Sequence, residues 1–117
     1  MKTSKITFKT LKRIIKESLE PETIDDVKVG DILYTLWGYD MIIVDFYQVI
    51  SRTPSTLLVR PLEAHMDGGF TGYCTPIRNK FKGDKTIRVR RSTYGIKIEN
   101  HYARIWDGKP IMYDHLD

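Results

Sequence analysis

Residues 41–51, "MIIVDFYQVIS", constrain the fold more than any other stretch, because both of their alternating sets are largely apolar. Ile42, Val44, Phe46, Gln48 and Ile50 form one set, and Met41, Ile43, Asp45, Tyr47 and Val49 the other. Successive side chains of a strand point to opposite faces. A strand written this way is therefore covered, at least in part, on both sides. Just upstream, Trp37-Gly38-Tyr39-Asp40 reads as a turn, with Gly38 supplying backbone freedom between two rings.

Further β signals follow. Ile32 to Tyr34 begins a strand, "RTPS" reverses the chain, and "TLLVRPL" returns with Leu57 and Val59 inward and Arg60 outward. "EAHMDGG" and the basic "RNKFKGDK" read as loops around "FTGYCTPI", a strand that Gly72 and Pro76 weaken. "TIRVRR" and "YGIKIE" pattern as a hairpin. Its inner face holds Ile87, Val89, Ile96 and Ile98, and its outer face Arg88, Arg90 and Lys97. "HYARIWDGKPIMYDHLD" supplies a short strand, a turn at Asp107-Gly108 and a tail.

Ahead of these lies an amphipathic helix over 7–20, with Phe8, Leu11, Ile14, Ile15 and Leu19 on one face. Thr7 caps it and Pro21 stops it. The expected architecture is one mainly β (α+β) domain over 1–117. Its barrel-like region, 27–113, is a small SH3-like barrel or a strongly bent antiparallel sheet.

A chain of 117 residues supports a single core. With 41% apolar and 29% charged residues, that core is modest and the surface well charged. The longest apolar run, Met41 to Val44, is far too short to span a membrane. "MKTSKITFKT" lacks the apolar centre of a secretory signal, and the single Cys74 points to a reducing cytoplasm.

The net charge of +4 hides an asymmetry. Residues 1–19 carry Lys2, Lys5, Lys9, Lys12, Arg13 and Lys16 against Glu17 alone. Residues 20–77 reverse this, with nine acids against Lys28, Arg52 and Arg60. From Arg78 to Lys109 basic residues dominate again, ten against Asp84, Glu99 and Asp107. A pattern of this kind marks a basic face for nucleic acid or an acidic partner, or else an ordinary mixed surface.

Catalytic constellations are not apparent. His65, His101 and His115 stand far apart, and one cysteine does not make a structural zinc site, so neither metal nor cofactor is expected. No glycine-rich loop joins a strand to a helix, and no serine sits in a G-x-S-x-G elbow. Cys74 reads as packing, Asp40 as a partner of its own turn, and Asp45 as a partner for a cross-strand Arg or Lys. The chain is expected to bind rather than catalyse.

Two sets of residues carry that expectation. Trp37, Tyr39 and Tyr47, if they converge, form an aromatic platform for a base, a proline or a methylated amine; the alternative is a corner of the core. Arg88, Arg90 and Lys97, helped by Lys80, Lys82, Arg78 and Arg91, form a stripe suited to phosphates. Outward arginines on a strand also keep an edge from pairing with other chains.

The segments "VGDILYTLWGYDMIIVDFYQVI", "LLVRPL" and "YARIWDGKP" resemble an uncharacterised family of small phage and mobile-element proteins, over roughly 27–113. The most specific pieces are Trp37 to Asp40, Asp45 to Val49, Arg60-Pro61 and Trp106 to Pro110. Met41, Ile42 and Ile43 depart from the family pattern, which is polar there and includes an asparagine. The resemblance implies a phage or mobile-element setting more than an activity; small phage proteins with no catalytic constellation usually act by binding, and a phage-encoded one would work in the host cytoplasm. One function in keeping with it is a nucleic-acid-binding β module. The other is an inhibitor of a host protein such as a defence nuclease, anti-CRISPR-like, in which Glu20, Glu22, Asp25, Asp26 and Asp31 imitate nucleic-acid charge.

Overall fold

The computed structural model describes residues 21–116, so the helix expected over 7–20 lies outside the described residues. The two-faced segment does form a strand, β2 (Ile43–Arg52), in a hairpin with β1 (Ile32–Trp37). Both faces of this hairpin are covered. Leu33, Tyr47 and Val49 enter one core; Ile32, Tyr34, Val44 and Phe46 enter another.

The remaining strands close these two cores. They are β3 (Thr56–Met66), β4 (Thr71–Phe81), β5 (Ile87–Arg90), β6 (Ile96–Ile98), β7 (His101–Ile105) and β8 (Ile111–Asp114). Together the eight make one open antiparallel sheet in the order β6-β7-β1-β2-β3-β4-β8, with β5 paired to β3. An isolated bridge between Ile42 and Asp114 brings β8 back beside the start of β2, with N–H to O distances of 2.7 and 2.9 Å. Of the two expected architectures, a small SH3-like barrel or a strongly bent antiparallel sheet, the structure shows an antiparallel sheet, open and with a core on each face of its central hairpin. Among the described residues, no helix is long and apolar enough to cross a membrane.

β3 links the two cores through simple alternation. Its first half sends Leu57 and Val59 into the first core and pairs with β5; its second half sends Leu62 and Ala64 into the second and pairs with β4. This overturns the expected hairpin of "TIRVRR" with "YGIKIE": β5 takes β3 as its partner, and β6 takes β7. Two expected loops also become strand. β3 runs on through Glu63–Met66, where Ala64, His65 and Met66 pair with Pro76, Thr75 and Cys74, and β4 continues through Arg78–Phe81, rejoining the ladder at Phe81 opposite Leu62.

Two irregularities do structural work. Between Leu62 and Ala64 on β3, β4 runs from Phe81 to Pro76, so residues 77–80 bulge outward and Asn79 takes a φ of 67°. The buried Gln48 replaces the missing ladder partner there. Its side-chain amide donates to Asn79 Oδ1 at 2.8 Å and accepts from the Asn79 N–H at 2.9 Å.

The second irregularity is a bulge in β2 between Val49 and Ser51. It shifts the register so that Arg52, rather than Ser51, sits opposite Leu57 on the side of the first core. From there Arg52 Nη1 donates to the carbonyls of Ile24 and Val27, at 2.7 and 2.6 Å. Those two residues bracket a 3-10 turn (Ile24–Asp26) whose start is capped by Thr23 and whose apolar side chains are buried.

Two stability changes follow. Arg52→Leu removes both bonds from a charged donor and leaves two carbonyls unanswered, and is expected to lower unfolding free energy by about 2–3 kcal/mol in urea titration. Gln48→Leu keeps the volume but strands the Asn79 N–H, for an expected loss of about 1–3 kcal/mol in the same measurement.

Candidate nucleic-acid interface

The strands that close the first core have short, strict alternation. β5 buries Val89 and tucks in Ile87, so Arg88 and Arg90 project outward. β6 buries Ile96 and Ile98, leaving Lys97 outside. β7 buries Ala103 and turns Tyr102 and Arg104 out. β5 and β6 pack side by side without sharing a ladder. Between them lies an outward depression of about 440 Å³, lined by Ile87, Arg88, Arg90, Arg91, Ser92, Lys97 and Glu99. Arg88 also borders a smaller recess of about 130 Å³ beside Arg52 and Thr56.

The structure therefore brings Arg88, Arg90 and Lys97 to one face, although from strands that are not a hairpin. Several neighbouring cations are engaged in holding the fold. Arg78 donates to the Gly30 carbonyl at 2.5 Å. Arg91 pairs with Asp25 at 2.5 Å and also donates to the Pro54 carbonyl. Arg60 lies over the Phe81 ring, 4.0 Å from its centroid, and donates to the Gly83 carbonyl. By contrast, Arg88, Arg90, Lys97 and Arg104 have no carboxylate within salt-bridge distance among the described residues. Glu99, the acid in the depression, is held by Lys85 at 2.8 Å.

Lys80 and Lys82 are exposed but do not line the depression. Lys80 sits in the bulge of β4 and Lys82 lies just beyond the strand's end at Phe81. They are not part of the same stripe.

The three aromatics expected to form a platform do not converge. Tyr47 is only 7% exposed and belongs to the first core, where burial raises its phenol above the ordinary value. This removes it from any surface site. Trp37, 40% exposed, is clipped in place: its Nε1 donates to Asp45 at 2.6 Å and its ring stacks on His101 with centroids 5.5 Å apart. Asp45 thus serves an indole across the hairpin rather than an Arg or Lys. Tyr39 stands alone at the turn, 98% exposed.

Tyr102, Tyr94 and Arg104 are the surface residues that the sequence reading missed. Tyr94 is exposed in the connection from β5 to β6, and Tyr102 pairs across from Lys97. The Glu99-Asn100 turn switches the buried set from Ile96 and Ile98 to Ala103, so an unbroken period of two across "YGIKIENHYARI" would have put Tyr102 and Arg104 inside.

The acidic segment has a structural occupation. Glu22 accepts from the Ile105 N–H at 2.9 Å, Asp26 from the Thr23 N–H at 3.0 Å, and Asp31 from the Lys28 N–H at 2.8 Å. The Arg91 hydrogen bond holds the Asp25 carboxyl below its ordinary value. Glu20 lies outside the described residues.

Cys74 is buried in the second core, where its thiol donates to the Ile111 carbonyl at 3.4 Å. Burial, reinforced by Asp67, pushes the thiol up to about 11. It packs as the sequence suggests. No protein-family model, no curated protein and no solved structure matches the chain.

The buried thiol and Tyr47 are both held in their neutral forms, so each contributes stability that is complete at neutral pH. The thiol's contribution is lost as pH rises from its ordinary 9.0 through about 11, and that of Tyr47 only above its ordinary 10.0. The Cys74 share corresponds to roughly 2–3 kcal/mol. Melting temperature is expected to fall across this range, and the fall between pH 9 and 10 should be shallower in Cys74→Ala.

Proposed function

We propose that this chain is a non-enzymatic nucleic-acid-binding β module that works in the cytoplasm, in the phage or mobile-element setting its sequence resembles. The observation that carries this reading is the convergence of Arg88, Arg90 and Lys97 on one outward depression. Neighbouring Arg78 and Arg91 are tied into the fold, so the outward cations are not a by-product of structural pairing. Rigid strands hold the cations at fixed spacing, and binding displaces counterions from the phosphate backbone. Arg88 and Arg90 supply forked donors that match phosphate oxygens, and Lys97 supplies a point charge. Arg104 extends the row on β7.

A ligand touching about four such cations should lose roughly 50- to 150-fold in affinity between 50 and 200 mM salt. Fluorescence anisotropy with labelled oligonucleotides at both salt concentrations measures this. The double variant Arg88→Ala, Arg90→Ala should weaken binding across all sequences and reduce the salt slope by about 2. Absence of binding at low salt, or a double variant that binds like the parent, would reject the reading.

A further inference from the structure

We propose that the ligand of the β5–β6–β7 face is single-stranded nucleic acid, with Tyr102 as the surface on which an unpaired base stacks. This rests on the nucleic-acid reading above and makes it specific. Tyr102 is 55% exposed on the outward side of β7 and pairs across from Lys97, whose Nζ lies 6.0 Å from the ring centroid. Within this pair, a phosphate on the ammonium and a base on the ring are one nucleotide's reach apart. The row thus runs from the arginines of β5, through the lysine of β6, to an aromatic ring on β7.

The ring is positioned, not merely left outside. Its Cδ1 edge rests on Gly95, where a Cβ would approach to 3.1 Å, and Gly95 has a φ of 133° that disfavours other residues. A glycine at this position gives the ring a flat seat beside the β6 backbone. Tyr94, exposed next to that seat, offers a second ring at the same end of the row. In a duplex the base faces are already stacked on one another and cannot meet an external ring, whereas an unpaired strand presents them. Cations alone would suit either form; cations with a seated, exposed tyrosine favour the single strand.

The test uses the full chain with fluorescein-labelled oligo-dT, oligo-rU and a mixed-sequence duplex of equal length, at about 50 and 200 mM salt. Both single strands, or one of them, should bind at least about tenfold more tightly than the duplex, and the oligo-dT and oligo-rU arms identify the sugar preferred. Tyr102→Ala and Tyr102→Leu should each weaken single-strand binding by about 5- to 150-fold with the salt slope unchanged, and Tyr102→Phe should retain it. Leucine separates stacking from simple apolar packing. Photo-crosslinking of unaltered protein to 5-iodouracil oligonucleotide, followed by peptide mass spectrometry, gives a readout that needs no variant; the adduct should fall on Tyr102. If the duplex binds as tightly as either strand, or Tyr102→Ala binds normally while Arg88→Ala, Arg90→Ala fails, stacking is overturned and the basic-face reading stands. If no oligonucleotide binds at low salt, both fall.

Discussion

The β1–β2 hairpin has no solvent face to spare, and most of the structure answers that constraint. A hairpin with one apolar face needs one covering layer. One with two needs a layer on each side, and here one strand serves both. β3 is that shared strand. Strict alternation lets Leu57 and Val59 complete one core while Leu62 completes the other, without a break in the chain. Burial of each such side chain contributes about 1.5–3 kcal/mol. The bulges are then local adjustments: Arg52 is turned toward the 3-10 turn, and Gln48 answers the amide that β4's bulge releases.

What could be read from the sequence is what alternation alone decides. The two-faced nature of 41–51 and the outward direction of Arg88, Arg90 and Lys97 depend only on period two within short segments, and both are found. What could not be read depends on distant partners. "TIRVRR" and "YGIKIE" look like a hairpin because they are neighbours, yet the long β3 offers β5 a better ladder, and β7 claims β6. Tyr47 shares a face with Asp45 in the sequence pattern, but it is buried in a core that draws on residues as distant as Ile96, Ile98 and Ala103. Arg78–Phe81 conceal a strand behind basic composition.

Charge in this protein is sorted by location rather than by amount. Where the chain bends back or a turn needs fastening, an acid accepts a backbone N–H or an arginine bridges carbonyls: Glu22, Asp26, Asp31, Arg52, Arg78 and Arg91 all act this way. Arg88, Arg90, Lys97 and Arg104, turned outward on β5, β6 and β7, have no carboxylate within salt-bridge distance among the described residues. A formal charge of +4 therefore understates the positive potential of the β5–β6–β7 face.

The pairing of β1 with β7 has a consequence for how the protein is made. Leu33 lies opposite Ile105, so about 70 residues separate the two sides of that ladder. At ribosomal rates of about 5–20 residues per second, β1 waits roughly 4–14 s for its second neighbour. During that interval its outer backbone groups are unsatisfied by the chain, and Leu33 lacks the cover of Ile96, Ile98 and Ala103. A nascent chain of this design is most prone to sticking to other chains before its last fifth has emerged, and factors that shield strand edges during synthesis would act on it at that stage.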